Sequence, residues 1–240
     1  MSSEGCVYLV PTPVGNLGDI TARALETLRA ADLIACEDTR TSGRLLKYFD
    51  ISKKLISYHE FNESSRARQL VDLVKQGQII AVVTDAGSPG ISDPAYRIVR
   101  ASLDAGLEVQ ALPGPSALIP ALTASGLPTD RFFFEGFLPV KDGQRRKRLD
   151  ALKSFEHTLI FYESPHRIHK TLTAIRDVLG NRRVSLAREI SKKFEEYLRG
   201  TAEEIANRIS GKTVKGELVL VVEGNRGNLA EDISQGSDDA

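Results

Sequence analysis

The chain has 240 residues, of which 41% are hydrophobic and 27% charged, with 32 basic and 32 acidic side chains. This composition is typical of a globular protein with a substantial core, and no apolar run reaches the roughly 20 residues that cross a bilayer. The amino-terminal residues lack the basic and apolar pattern of a signal peptide. Cys6 and Cys36 have no metal-ligand spacing, so we expect two reduced thiols, no metal site and a cytoplasmic location. Because no apolar run is long enough to span a bilayer, we also expect no membrane association.

Short apolar runs alternate with segments of helical periodicity through the first half of the chain. This order, with short loops, is typical of a largely parallel sheet that helices cover on both faces. Residues 79–83 (IIAVV) are unbroken apolar, as expected for a strand buried on both sides. The predicted strands are residues 7–11, 32–36, 55–58, 79–84 and 108–112, and the predicted helices lie near residues 21–31, 41–49, 63–76 and 94–105.

Residues 112–130 (LPGPSALIPALTASGLPTD) interrupt this order with four prolines, which predicts a connector between two domains. We predict an amino-terminal α/β domain over residues 1–115, a connector over 116–130 and a second α/β domain over 131–224. The second domain ends in a strand-rich stretch, so we expect its sheet to be mixed. Its predicted strands are residues 132–135, 158–162, 183–187, 194–199 and 217–222, and its predicted helices lie near 144–154, 165–179 and 202–209. The last 16 residues, 225–240, are acidic and poor in large apolar groups, which predicts a disordered tail.

Loops rich in small residues follow several predicted strands, at the sheet edge where open α/β folds bind ligands. The first, PTPVGNLGD, is neither G-x-G-x-x-G nor a P-loop, which argues against a dinucleotide or P-loop nucleotide site. In TDAGSPGISDP, Asp85 ends a buried strand, Gly87 and Gly90 allow close approach of backbone to a ligand, and Ser92 or Asp93 is a candidate helix cap. With CEDTRTS and PGPSA, these loops predict a site for an uncharged or cationic ligand with hydroxyl and amine groups.

Six motifs occur in one order: VPTPVGNLGDIT, CEDTR, TDAGSPGISDP, PGPSA, SGLPTDRFFFEGFLP and FYESPHR. In these motifs the chain resembles the bacterial 16S ribosomal RNA cytidine 2′-O-methyltransferases of the RsmI type, within the tetrapyrrole methylase superfamily. The resemblance covers roughly residues 5–224. It implies the class III methyltransferase fold, with two α/β domains, S-adenosylmethionine in the cleft between them, and usually a homodimer. The implied substrate is a cytidine ribose in the decoding region of 16S rRNA, either free or in the assembled small ribosomal subunit.

The resemblance also implies which residues form the site. The expected cofactor-binding residues are Pro13, Asp85, Gly87, Ser88, Ser116, Ala117 and Tyr162. The motifs CEDTR and YESPHR supply the catalytic candidates, which we expect on the acceptor side of the site: Glu37, Asp38, Arg40, Glu163, His166 and Arg167. A ribose 2′-hydroxyl must lose its proton during methyl transfer, and the sequence leaves open which group, if any, is the general base.

The segment KDGQRRKR at residues 141–148 holds five bases and one acid. We expect its bases in an exposed loop and first helical turn, where cations do not stabilise a helix. Contact with RNA phosphates would explain them, and a solvated helix face is the alternative. The predicted RNA-binding residues are Lys141, Arg145, Arg146, Lys147 and Arg148.

Two other functions remain open at this point. The chain could be a methyltransferase of the same fold that acts on a tetrapyrrole or a protein side chain. It could also be an RNA-binding or ribosome-binding protein without catalytic activity. The basic segment and CEDTR argue against the first alternative, and the intact strand-end loops argue against the second.

Overall fold

The computed structural model describes residues 5–225, so all of the predicted acidic tail except Asn225 lies outside the described residues. The chain divides into two compact units between Ser116 and Ala117. The segment predicted as a connector carries a short helix, α5 (Leu118–Thr123), which belongs to the second unit.

The first unit is a five-stranded parallel sheet with the strand order β3-β2-β4-β1-β5, as the alternating pattern predicted. Its strands are β1 (Cys6–Leu9), β2 (Leu33–Cys36), β3 (Lys54–Ser57), β4 (Ile79–Val83) and β5 (Glu108–Ala111). Its α-helices are α1 (Ala22–Ala30), α2 (Thr39–Tyr48), α3 (Glu63–Lys75) and α4 (Tyr96–Asp104).

Helices cover both faces of this sheet. Leu28 of α1 and Leu46 of α2 belong to one buried cluster, whereas Leu70 of α3 and Ile98 of α4 belong to another. The connections that leave β1 and β2 run toward β3, while the one that leaves β4 runs toward β5. The neighbouring strands β2 and β4 therefore have connections that leave their carboxyl ends in opposite directions. Such a topological switch point forms a crevice in which α/β proteins bind ligands.

The second unit is a five-stranded mixed sheet with the strand order β6-β7-β10-β8-β9, in which only β6 and β7 are parallel. The expectation of a mixed sheet is therefore confirmed. Its strands are β6 (Phe132–Phe137), β7 (Thr158–Glu163), β8 (Arg183–Arg188), β9 (Glu196–Thr201) and β10 (Leu218–Val222). Besides α5, its helices are α6 (Asp142–Ala151), α7 (Ile168–Leu179) and α8 (Ala202–Ile209).

The core of the second unit lies mainly beneath α7 and α8. Leu172 and Ile205 are fully buried against Phe161 of β7 and Leu220 of β10. Helix α8 begins with a capping box. The Thr201 hydroxyl accepts from the Glu204 N–H, and the Glu204 carboxylate accepts from the Thr201 N–H. None of the helices in residues 5–225 is long and apolar enough to cross a membrane.

Candidate active site

The loops after β1 and β4 are joined at the carboxyl edge of the first sheet. Thr12 and Gly87 exchange two backbone hydrogen bonds, each with an N–O distance of 2.9 Å. The Thr12 hydroxyl donates to the Thr84 carbonyl at 3.0 Å, and the Ser88 hydroxyl donates to the Pro115 carbonyl at 2.9 Å. The loops after β1, β4 and β5 are therefore held together before any ligand binds.

Two glycines permit this close approach. Gly87 has a φ of 86°, in the left-handed region that strains other residues. Gly114 lies against Pro11, and a Cβ atom on Gly114 would be 2.7 Å from the Pro11 Cβ. A larger residue at position 114 would push the loops apart, and one at position 87 would strain the backbone.

Four carboxylates collect at the ends of β2 and β4: Glu37, Asp38, Asp85 and Asp93. The Thr84 hydroxyl donates to Glu37 Oε2 at 3.1 Å, and the Asp38 N–H donates to Asp85 Oδ1 at 3.2 Å. Burial, with the charge of Glu37, raises the pKa of Asp85 and raises the pKa of Asp93 to about 6. This edge of the sheet therefore favours a ligand that brings positive charge or hydrogen-bond donors.

Asp93 was expected as a helix cap, and this prediction is wrong. Helix α4 begins after Ala95 and has no side-chain cap. Ser92, the other cap candidate, has a φ of 65°, which turns the chain so that Asp93 joins the carboxylates instead. The motif S-D-P is typical of a helix start, so the local sequence held no signal for this placement.

Asp38 also pairs with Arg40, whose side chain is exposed, at the start of α2. Asp38 accepts from the Arg40 N–H at 2.8 Å, which caps the helix, and from the Arg40 guanidinium at 2.9 and 3.2 Å. These hydrogen bonds lower the pKa of Asp38 to about 2. Asp38 is therefore a carboxylate with little affinity for a proton at neutral pH.

A cavity of about 420 Å³ lies beside Asp85, between the first loop and α2. Its volume falls within the roughly 300–1,000 Å³ of small-molecule sites. It is lined by Thr12, Pro13, Gly15, Leu17, Thr41, Ser42, Arg44, Leu45, Tyr48, Thr84 and Asp85. Of the expected cofactor residues, Pro13 and Asp85 line this cavity. The α2 residues were missed, although Thr41, Leu45 and Tyr48 have the i, i+4, i+7 spacing of one helix face.

The other expected cofactor residues have different surroundings. Gly87 and Ser88 hold the loops together, as described above. Ser116 and Ala117 are half-buried on either side of the boundary between the units. Tyr162 lies in β7, where its ring contacts those of Phe134 and Phe137 with centroid distances of 4.9 and 5.7 Å.

The YESPHR motif forms a buried network at the turn from β7 to α7. The Glu163 side chain is fully buried and accepts from the Ser164 N–H at 2.6 Å, Arg167 Nε at 2.8 Å and the Thr171 hydroxyl at 2.5 Å. Arg167 also donates to the Leu138 carbonyl at 3.1 Å. Glu163 has no exposed surface to offer a substrate, which corrects the expectation that it lines the acceptor side, whereas His166 is exposed.

The expected exposure of the basic segment is wrong for Arg145. Its side chain is only 2% exposed, donates to the Val140 carbonyl at 3.3 Å and pairs with Asp142 at 2.6 Å. The helix begins at Asp142, earlier than predicted, and Arg145 lies on its buried face together with Leu149, four residues later.

The remaining arginines of this segment are already paired. Arg146 contacts Asp142 and Asp177 at 3.0 and 3.1 Å, and Arg148 donates twice to Glu135 at 2.6 Å. Across the part of the chain that the structure describes, Lys141 and Lys147 make no ion pair. Most of the positive charge that the sequence showed here is therefore neutralised within the unit.

Comparison with known proteins identifies the family. Residues 6–206 match the family model described as Tetrapyrrole (Corrin/Porphyrin) Methylases. Three relatives are each named "Ribosomal RNA small subunit methyltransferase I". The protein of Halalkalibacterium halodurans is 51% identical, over 92% of this chain and 77% of its own. Those of Escherichia coli O157:H7 and Bacillus subtilis are 49% and 44% identical, over 94% and 98% of this chain and 80% of their own.

Solved structures of two other proteins share the fold. The methyltransferase CobJ superimposes with a TM-score of 0.69 at 20% identity, over 92% of this chain and 94% of CobJ. Diphthine synthase superimposes with a TM-score of 0.70 at 15% identity, over 92% of this chain and 90% of its own. The chain therefore belongs to the tetrapyrrole (corrin/porphyrin) methylase family, in the group of the ribosomal RNA small subunit methyltransferase I proteins.

Proposed function

We propose that this chain is an S-adenosylmethionine-dependent methyltransferase that methylates the ribose 2′-oxygen of a cytidine in the decoding region of 16S rRNA. The proposal depends mainly on the sequence identity of this chain to the three ribosomal RNA methyltransferases above, which is 44–51% over at least 92% of the chain. The cavity and the preformed loops at the carboxyl edge of the first sheet support an enzyme rather than a passive binding protein.

The residues at this edge fit the proposed cofactor. The Asp85 carboxylate is accessible at the wall of the cavity, although the surrounding protein partly desolvates it, and it can accept hydrogen bonds from hydroxyl or amine groups. The neighbouring carboxylates favour a cation, which suits a positively charged sulfonium. When bound, S-adenosylmethionine supplies an intrinsically electrophilic methyl group, so the protein's main contribution is to position the nucleophile.

The acceptor hydroxyl must pass its proton to a group whose pKa is near the working pH. Asp38 has a pKa of about 2 and Glu163 is buried, so neither suits this role. Asp93 has a pKa of about 6 and lies close to Glu37 at the same edge. We therefore add Asp93 to Glu37 as the candidate proton acceptors of the first unit, and His166 remains a candidate in the second.

We further propose that the enzyme is a cytoplasmic homodimer and acts on 16S rRNA, either free or within the small subunit. These points follow from the family resemblance. Light scattering of the purified chain measures the oligomeric state, and a mass of one chain would exclude the dimer.

Transfer of tritium from labelled S-adenosylmethionine tests the function. The substrates are rRNA and small subunits from cells that lack the gene, and the matched control is rRNA from wild-type cells, which should already carry the methyl group. We expect label only in the first set, and digestion should yield 2′-O-methylcytidine. Label in a base, or transfer to a porphyrinogen but not to RNA, would contradict the proposal.

A further inference from the structure

A second cavity, of about 450 Å³, lies in the second unit between β8, β9 and the loop that follows α8. Its inner part is apolar, since Leu186 and Ile209 are buried and Leu198 and Val214 pack against the same core. Its remaining lining residues are polar or charged: Arg188, Glu196, Arg208, Lys212, Thr213 and Lys215. We call this site the α8 pocket.

Four cations and one carboxylate thus line the α8 pocket. Arg188 pairs with Glu196 at 3.0 Å, and Arg208 donates to the Arg199 carbonyl at 3.3 Å. Neither Lys212 nor Lys215 has an ion-pair partner in residues 5–225, and both are exposed. The pocket therefore has an excess of positive charge that the unit itself does not neutralise.

Helix stability explains only part of this charge. Arg208 lies in the last turn of α8, where a cation stabilises the helix macrodipole. That effect decays within one turn, and Lys215 lies six residues beyond Ile209, the last residue of α8. Lys215 therefore needs another explanation.

The loop that carries both lysines is hydrogen-bonded at both ends, and at its start the Lys212 N–H donates to the Ile209 carbonyl at 3.1 Å. Gly211 and Gly216 have φ values of 69° and 90°, so each turns the chain in the left-handed region. Beyond Gly216, Glu217 and Glu189 are joined by hydrogen bonds of 2.9 and 3.0 Å. The loop thus presents Lys212, Thr213 and Lys215 from a fixed frame.

This arrangement contrasts with the basic segment of α6, whose arginines are paired or buried. At the α8 pocket, Lys212 and Lys215 line a cavity and have no ion-pair partner among residues 5–225. Ammonium groups and a threonine hydroxyl are donors suited to phosphate oxygens. We propose that the α8 pocket binds a phosphate group of the RNA backbone, an inference that rests on the proposed RNA substrate.

The test replaces both lysines with glutamine, in Lys212→Gln/Lys215→Gln, and measures binding of small-subunit rRNA by the full-length chain in a salt series. We expect binding about tenfold weaker at moderate salt. The slope of log K against log salt should become shallower by roughly 0.7 to 0.9, the contribution of one phosphate contact. Lys212→Arg/Lys215→Arg should restore binding, and affinity for S-adenosylmethionine should be unchanged in both variants.

The matched control is Lys54→Gln/Lys75→Gln, which removes the same charge from two exposed lysines of the first unit that have no ion pair among the described residues. This control should bind RNA like the wild type. If the wild type binds rRNA and the Lys212/Lys215 glutamine variant binds equally well across the salt series, the α8 pocket is not a phosphate site. If the wild type itself binds no rRNA, the proposed function fails, and the inference fails with it.

Discussion

Asp85 is subject to two opposing electrostatic effects. The Asp38 N–H stabilises its charge, while burial and the nearby Glu37 raise its pKa. A cationic ligand would relieve the repulsion between these carboxylates. We therefore expect the affinity for S-adenosylmethionine to depend on the negative charge of Asp85.

We expect Asp85→Ala to weaken S-adenosylmethionine binding by roughly tenfold or more, since a hydrogen bond to a charged group is worth about 1.5–3 kcal/mol. Isothermal titration calorimetry measures this loss. Asp85→Asn, which keeps the shape but not the charge, should lose much of the same affinity. Unchanged affinity in a folded Asp85→Ala variant would remove Asp85 from the donor site.

The raised pKa of Asp93 should make the free energy of unfolding of the first unit depend on pH. Its pKa is about 6 in the folded chain and 3.8 in the ordinary carboxyl, so the folded state binds the proton more tightly. This contribution to stability is fully present below about pH 4 and is lost as the pH rises through 6. At neutral pH, the ionised Asp93 beside Glu37 therefore destabilises the first unit.

Asp93→Asn should remove this cost. We expect the free energy of unfolding at pH 8 to rise by about 1 kcal/mol, a value reduced from the full pKa shift because Asp93 is only half-buried. Its pH dependence between about 4 and 6 should also become flatter. Urea unfolding without ligand measures both effects, with Asp72→Asn on α3 as the control. A variant with the wild-type pH dependence would show that Asp93 is not ionised against Glu37.

The YESPHR motif, at the turn from β7 to α7, stabilises the fold of the second unit. Glu163 accepts three hydrogen bonds inside the unit, and Arg167 links it to the Leu138 carbonyl after β6. A buried ion pair with one partner removed leaves an uncompensated charge, which costs about 3–5 kcal/mol.

We therefore expect Glu163→Ala to lower the free energy of unfolding by about 3 kcal/mol or more, measured with urea. Thr171→Val, which removes one hydrogen bond and keeps the shape, should cost about 1–3 kcal/mol. Wild-type stability together with lost methyl transfer in Glu163→Ala would return Glu163 to the catalytic candidates.

The positions of strands and helices could be predicted to within a few residues, because apolar periodicity and Gly or Pro boundaries are local signals. Strand β4 was expected over residues 79–84 and spans Ile79–Val83. Helix α6 was expected to begin near Gln144, yet it begins at Asp142. Arg145 and Leu149 are four residues apart and lie on the same buried face of this helix, which decides that Arg145 faces inward.

The strand order could not be predicted, and the acidic edge depends on it. Thr84 contacts Glu37, and Asp85 contacts Asp38, across 47 residues of sequence because β2 pairs with β4. Local sequence patterns do not indicate that β2 pairs with β4. The loops around the site were therefore predicted individually, whereas the cluster of carboxylates and the α2 wall of the cavity were not.

At the scale of the whole molecule, each unit has a sheet and buried clusters of its own. The clusters around Leu28 and Leu70 lie within the first unit, and those around Leu172 and Val219 lie within the second. A domain with its own core can in principle fold alone. A fragment of residues 1–116 should therefore give a cooperative urea transition, and a broad, featureless transition would contradict this expectation.

The same fragment separates folding from donor binding. It keeps the β1 and β4 loops and the 420 Å³ cavity beside Asp85, but it lacks Ala117 and Tyr162, which are expected to contact the donor. We expect the fragment to bind S-adenosylmethionine at least tenfold more weakly than the full chain, because burying an aromatic side chain is worth about 1.5–3 kcal/mol. Tyr162→Ala in the full chain is the matched control and should lose a similar affinity by calorimetry. A folded fragment that binds the donor as tightly as the full chain would show that the first unit alone supplies the donor site.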